Sequence, residues 1–229
     1  PPPPPPPPPL GQATLVAVYL VALLGLLLYG CNAYVMVAAH RRHRDAPRST
    51  PPLPQVLPPV TVQLPLFNER YVAARLLRAV GDLQYPAERL EIQVLDDSTD
   101  DTSAIVAREV AVLRDQGLTV VHRQRRERTG FKAGALAEGL AAARGEFIAI
   151  FDADFVPPPE FLKSTLPHFG PRVAVVQTRW GHLNRSFSML TVAQALGIDG
   201  HFAVEQSARA WSGLLLNFNG TAGLWRKAA

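Results

Sequence analysis

Apolar and polar positions along this chain fall into three regimes. From Leu10 to Ala39, 30 residues run almost unbroken through Leu, Val, Ala, Gly and Tyr, and residues 1–39 contain no Asp, Glu, Lys or Arg. A bilayer core needs roughly 20 apolar residues in a helix, so this run predicts one tilted transmembrane helix over 10–39. The competing reading is a buried helix of a soluble protein, and thirty uncharged residues are too many for it. A second regime spans 40–59. It opens with His40-Arg41-Arg42-His43-Arg44 and continues with Arg48 and Pro47, Pro51, Pro52, Pro54, Pro58 and Pro59. Such a basic, proline-rich stretch predicts a stiff linker.

Beyond Pro59 short apolar runs alternate with amphipathic ones. Val60–Leu64, Ile92–Leu95, Leu118–His122, Phe147–Phe151 and Val173–Gln177 read as strands. Tyr71–Leu83, Thr102–Arg114, Lys132–Ala143 and Pro158–Leu166 read as the helices between them. This rhythm predicts an α/β fold with a mostly parallel sheet and flanking helices, preceded by one transmembrane helix. Ser186–Arg209 adds a further helical stretch, carrying Phe187, Leu190, Leu196 and Phe202, that reads as a core or interface helix. The expected domains are a polyproline end over 1–9, the membrane helix over 10–39, the linker over 40–59 and one catalytic domain over 60–229.

Charge narrows the picture. The chain has 229 residues and a net charge of +4, and only three of its 23 basic residues are lysine. The arginines are scattered and no basic helix carries interleaved aromatics, which argues against nucleic acid as a partner. The basic residues follow the apolar run instead of preceding its core, unlike a signal peptide. Positive charge marks the cytoplasmic flank, so an integral membrane protein is expected, with its N-terminus outside and residues 40–229 in the cytoplasm. The Ala-, Arg- and Pro-rich composition points to a GC-rich genome and a bacterial inner membrane. One cysteine, Cys31, rules out an intrachain disulfide and a Cys-type zinc site. The first residue is not Met and the last three are Lys227-Ala228-Ala229, so the chain reads as a fragment.

Candidate chemistry collects where the strands end. The first strand runs into Phe67-Asn68-Glu69, the second into Asp96-Asp97-Ser98-Thr99-Asp100, and the fourth into Phe151-Asp152-Ala153-Asp154. In a parallel sheet all of these reach one edge, where open α/β sheets bind ligands. Asp152 and Asp154 repel one another unless a cation lies between them. Hard divalent ions such as Mg²⁺ or Mn²⁺ take oxygen ligands and often bridge to substrate phosphates. The alternative is a solvated loop. Capping of the next helix, through Asp100, accounts for part of the acidic run after the second strand. Gly130-Phe131-Lys132-Ala133-Gly134-Ala135 opens a helix with a rare lysine, which suits an anionic ligand better than bare solvent. No Gly-x-Gly-x-x-Gly fingerprint is present.

Six phrases in order carry a resemblance: Leu-Pro-Leu-Phe-Asn-Glu, Val-Leu-Asp-Asp-Ser-Thr-Asp, Gly-Phe-Lys-Ala-Gly-Ala-Leu, Phe-Asp-Ala-Asp-Phe, Val-Gln-Thr-Arg-Trp and Asn-Phe-Asn-Gly-Thr-Ala-Gly. Together they resemble family 2 glycosyltransferases, most of all the cellulose synthase-like members of the glucomannan mannosyltransferase and xyloglucan-type glucan synthase branch. The resemblance covers Val60 to Ala229. It implies a GT-A fold, a Rossmann-like sheet with flanking helices, and a nucleotide-sugar donor. It further implies an inverting transfer of a hexose, UDP-glucose first and GDP-mannose second, to a growing β-linked polysaccharide. A glycolipid acceptor, or a non-catalytic nucleotide-sugar-binding membrane partner, are the alternatives.

Carried over to this chain, the resemblance puts Asn68 and Glu69 at the nucleoside pocket and Asp96 and Asp97 on base and ribose. It puts Lys132 on the nucleotide, and Asp152 and Asp154 on the divalent ion and diphosphate. Asn219, Gly220 and Thr221 would shape the acceptor pocket, with Asn219 standing where the family usually has Cys, and Gln177, Arg179 and Trp180 would line its side. The general base of the family belongs to a Thr-Glu-Asp motif that residues 60–229 do not contain. The 229-residue chain is therefore expected to bind donor and to turn over little.

Overall fold

The structure, a computed structural model, describes residues 10–47 and 49–229; the polyproline stretch 1–9 and Arg48 of the basic flank lie outside the described residues. Two units emerge from the packing: one comprises residues 49–180 and 218–229, the other residues 10–47 and 181–217. The expected single domain over 60–229 thus divides, because 181–217 form a unit with the N-terminal helix.

The first unit is built on a six-stranded sheet of order β3-β2-β1-β4-β6-β5. Its strands are β1 (Val60–Leu66), β2 (Leu90–Asp96), β3 (Thr119–Gln124), β4 (Phe147–Ile150), β5 (Val175–Gln177) and β6 (Gly223–Arg226). β1 pairs in parallel with β2 and β4, and β2 in parallel with β3. β6 runs antiparallel to both β4 and β5. All five strands expected from the sequence form; β6, inserted between β4 and β5, is the addition that makes the sheet mixed. Strands buried on both faces read as near-continuous apolar runs, and Val60, Val62, Leu64, Ile92 and Val94 obey that rule.

Polar residues inside the sheet find one another. Thr61 Oγ1 donates to Glu91 Oε2 at 2.7 Å, and Gln63 Nε2 donates to Gln93 Oε1 at 3.1 Å. Helices α2 (Ala73–Gly81), α3 (Thr102–Asp115), α4 (Phe131–Ala142) and α5 (Phe161–Thr165) connect the strands. Helix α2 buries Leu76, Leu77 and Val80 on one face. Helix α4 approaches the sheet at Gly139, where a Cβ would sit 2.5 Å from Gln63 Nε2 and 2.9 Å from Gln93 Oε1. A side chain there would have to push aside the Gln63 and Gln93 amides, which hydrogen-bond each other.

The second unit holds α1 (Leu10–His43), α6 (Met189–Gly200), a π-helical turn (His201–Gln206) and α7 (Ser207–Trp211). At 1.5 Å per residue α1 is about 50 Å long, more than the roughly 30 Å of a bilayer core. Long and apolar enough to cross a membrane, it supports an integral membrane protein. The His40 ring meets Trp211 with centroids 5.2 Å apart. Ser188 and Thr191 form a reciprocal cap on α6, and Glu205 accepts from His201 and Arg209 at 3.1 Å each. The helical stretch expected over 186–209 is therefore one continuous run with a π-turn inside it.

Candidate active site

Strand register decides which loops meet. Leu66 pairs with Asp96, and Gln63 with Ile150, so β1, β2 and β4 end close together at one edge. From β1 the chain steps outward to β2 and β3, then returns to the opposite side of β1 for β4. Such a reversal opens a crevice at the strand ends. A cavity of about 410 Å³ lies there, and Glu69, Asp97, Arg128, Lys132, Asp152 and Asp154 are among its walls.

Past β4 the polar groups are exposed to the cavity. Lys132, in the first turn of α4, donates from Nζ to Asp152 Oδ1 at 2.5 Å and to the Gly220 carbonyl at 3.0 Å. The Asp152 N–H donates to Thr221 Oγ1 at 2.8 Å, which fixes the loop. Arg75 holds the Asp154 carbonyl at 3.1 Å. Glu69 has its proton affinity raised by partial burial, then by the negative charges of Asp154, Asp152 and Asp100. Among the described residues no group of three or more His, Cys, Asp or Glu is arranged to hold a metal alone. Two carboxylates facing a shared cavity, with a third pushed toward its protonated form by burial and then by them, fit a hard divalent cation that completes its shell with substrate or water oxygens.

Past β2 the carboxylates are already engaged. Asp96 is buried, accepts from Ser98 N–H at 2.9 Å and lies 3.0 Å from His122 Nε2. Burial would raise its pKa, but hydrogen bonds from His122, Ser103 and Ser98 outweigh it and hold the carboxyl well below the usual range. Asp97 takes a two-pronged contact from Arg125, Nε to Oδ1 at 2.7 Å and Nη2 to Oδ2 at 2.5 Å. The same guanidinium donates to the carbonyls of Thr129 at 3.0 Å and Phe131 at 2.9 Å. It thereby ties the β3–α4 loop to the end of β2. Asp100 caps α3, its Oδ1 accepting from Thr102 N–H at 2.9 Å.

The remaining expected site residues divide into scaffold and surface. Asn68 adopts a left-handed backbone (φ 57°), a conformation Asn tolerates better than most residues. Its side chain accepts from Thr99 N–H at 2.9 Å and its N–H donates to Ser98 Oγ at 3.0 Å, latching the β1 loop to the β2 loop. Gln177 works on the 219–222 loop: its Nε2 donates to the carbonyls of Thr221 and Ala222 at 3.0 Å each, and its Oε1 accepts from Asn219 N–H at 3.1 Å. Arg179 is exposed, and Trp180 stands edge-to-face on Phe155 with centroids 5.1 Å apart. Of the thirteen positions singled out in the sequence, Glu69, Asp97, Lys132, Asp152 and Asp154 line the cavity. Asn68, Asp96, Asn219, Gly220, Thr221, Gln177, Arg179 and Trp180 do not.

Arg128, which lines the cavity, and Arg125, which holds Asp97 behind it, were not expected from the sequence. In Arg123-Gln124-Arg125-Arg126-Glu127-Arg128 they look like a solvated charge run. The signal that marks them is position, between the carboxyl end of β3 and the start of α4.

Comparison with known proteins gives the arrangement its kinship. The chain is 43% identical over 178 residues to glucomannan 4-beta-mannosyltransferase 2 of Arabidopsis thaliana, covering 75% of this chain and 33% of that protein. It is 42% identical over 175 residues to glucomannan 4-beta-mannosyltransferase 1 of Cyamopsis tetragonoloba, covering 74% and 33%. It thus spans about a third of the length of these relatives. Among solved structures, a mannosyltransferase of Pyrobaculum calidifontis in complex with GDP-Man and Mn²⁺ superposes with a TM-score of 0.64 at 26% identity, over 94% of this chain and 56% of that one. The model for glycosyl transferase family 2 matches residues 61–211, which include β1 to β5 and the cavity walls, and the chain belongs to that family.

Proposed function

We propose that residues 60–229 form the donor-binding part of a membrane-bound inverting glycosyltransferase that moves mannose from GDP-mannose to a growing β-linked polysaccharide. The observation that carries the reading is the gathering of Lys132, Asp152, Asp154 and Glu69 in one cavity at the strand ends. The structural relative with GDP-Man and Mn²⁺, and the mannosyltransferases among the sequence relatives, support GDP-mannose over the UDP-glucose first expected. Asp152 and Asp154 would hold the divalent ion, which when bound supplies charge neutralisation for the leaving nucleoside diphosphate. Lys132 would place a second positive charge beside it. Asp97, rigidly held by Arg125, would face the nucleoside, with Asp96 locked behind it.

The acceptor hydroxyl needs a base as it attacks. Glu69 sits among carboxylates on the donor side, and Asp199 and Glu205 belong to the helical unit, each already in ion pairs. None of these is assigned that role, so binding without sustained turnover is the property expected of these 229 residues. Helix α1 with its basic flank at 40–44 would anchor the domain on the cytoplasmic side. Calorimetric titration of the full 229-residue chain in detergent with GDP, UDP and GDP-mannose, with and without Mn²⁺, tests the proposal. Mn²⁺-dependent binding of GDP and GDP-mannose is expected; heat from none of the three would overturn it.

A further inference from the structure

Arg128 stands out at the β2 end of the cavity. Its guanidinium carbon lies 3.4 Å from the centre of the Phe67 ring and 5.1 Å from that of Phe131, so two aromatic rings hold it. Such contacts fix a guanidinium in place and leave its in-plane N–H groups for a partner. The backbone is bent to make this clamp: Gly130 (φ 70°) and Phe131 (φ 50°) are successive left-handed residues, and for Phe that conformation is strained.

The natural partner for Arg128 is already taken. Asp97 Oδ2 lies 3.8 Å from Arg128 Nε, beyond hydrogen-bond range, because Arg125 occupies both Asp97 oxygens. Among the described residues Arg128 Nε is buried and has no hydrogen-bond partner. A buried unsatisfied donor costs stability, which a protein tolerates where a ligand completes the bond. The cavity wall therefore contains a planar guanidinium, held between two rings, whose Nε still needs an acceptor.

Position indicates which acceptors. Strands lie about 4.8 Å apart, so the end of β2 is roughly two spacings, near 10 Å, from the end of β4. A diphosphate at Asp152 and Asp154 leaves its nucleoside reaching toward Asp97 and Arg128. We infer that Arg128 is a specificity-determining residue that reads the base of the donor nucleotide, its fork pairing with the O6 and N7 acceptors of guanine. The chemistry is that of arginine with guanine edges elsewhere: a purine with two adjacent acceptors fits the fork, while adenine puts an amine donor where one acceptor is required. This inference rests on the donor reading above and deepens it.

The test compares nucleotides on one protein. Wild type and Arg128→Lys, which keeps the charge and loses the fork, are titrated with GDP, IDP, 7-deaza-GDP, ADP and UDP in the presence of Mn²⁺. IDP retains O6 and N7; 7-deaza-GDP lacks N7. Wild type should bind GDP and IDP alike, and 7-deaza-GDP and ADP more weakly. Arg128→Lys should lose about 5- to 150-fold in GDP and IDP affinity, the range for one bidentate arginine–base pair, while UDP binding changes less than about threefold. Retained UDP binding also shows that the variant is folded. Equal losses for GDP and UDP would mean that Arg128 meets phosphate, and no loss for either that it meets nothing; either overturns the inference and leaves the donor reading intact. A wild type that binds no nucleotide overturns both.

Discussion

The two ends of the cavity use the same residue type in opposite ways. At the β2 end, Asp96 and Asp97 are buried and saturated by His122, Ser98 and Arg125. At the β4 end, Asp152 shares one oxygen with Lys132, and Asp154 and Glu69 face the cavity, where partial burial and then the charges of Asp154, Asp152 and Asp100 raise Glu69's proton affinity. A doubled acid is thus architecture in one place and, in the function proposed above, a cation site in the other. What separates them is whether the protein supplies the counter-charge itself. Where it does so fully, the carboxylate contributes rigidity; where it does so only in part, as Lys132 does for Asp152, the proposed ion would complete the balance.

The largest effect that would break this contrast is on stability. Arg125→Ala removes the partner of a carboxylate whose side chain is only 4% exposed and frees two carbonyls of the β3–α4 loop. Breaking a buried pair by removing one partner costs about 3–5 kcal/mol. Urea or thermal unfolding of the variant should show a loss of that size. A loss below about 1 kcal/mol would mean that the β2 end is not the framework described here.

Asp152→Asn is the matching cut at the β4 end, and its effect should fall on binding. Mn²⁺-dependent GDP affinity should drop by about 100-fold, close to 2.7 kcal/mol, with the unfolding midpoint nearly unchanged. The split between the two variants is the informative result. If Asp152→Asn unfolded the protein while Arg125→Ala left it stable and non-binding, the assignments of framework and ion site would have to be exchanged.

How far the sequence foretold this contrast depends on the range of the interactions. The parallel strands were legible because β1, β2 and β4 are compact apolar runs, and Asp152 and Asp154 because they directly follow one. Strand β6 was not. Its four residues, Gly223–Arg226, show no alternation, and its place between β4 and β5 is set by pairing with strands about 50 and 75 residues away in the chain. The roles of Gln177 and Asn68 were hidden for the same reason. Each is polar and near a motif, and only the fold reveals that the loops they hold belong to the framework. Arg128 looked like one charge among many until the rings of Phe67 and Phe131 closed on it.

Acid pH sharpens the contrast at the β2 end. The folded pKa of Asp96 is lowered, so its ionised form stabilises the fold above the unfolded value of about 3.9, and that contribution is lost as pH falls through the folded value. Asp96→Asn should cost roughly 1.5–3 kcal/mol at pH 7, the range for a hydrogen bond to a charged group. The gap to wild type should narrow as pH drops below 4. A gap that is constant from pH 7 to pH 2.5 would place the cost in packing and remove the charge from the argument.

Glu69 carries the smallest expected effect and the opposite sign. Its folded pKa is raised, so the stability it contributes is present below the unfolded value and is lost as pH rises through the folded one. At neutral pH its charge is a cost, owed to partial burial and then to Asp154, Asp152 and Asp100. Glu69→Gln should therefore raise stability at pH 7 slightly, by no more than about 0.5 kcal/mol for so exposed a group. A cation among the three carboxylates cancels the repulsion and lowers the proton affinity of Glu69. Ion binding must then release protons in the pH range just above the ordinary glutamate value. Mn²⁺ titrations in two buffers of different ionisation enthalpy measure that release directly. Wild type should release protons there and Glu69→Gln should release fewer. Equal release by both would separate Glu69 from the ion and confine the cation site to Asp152 and Asp154.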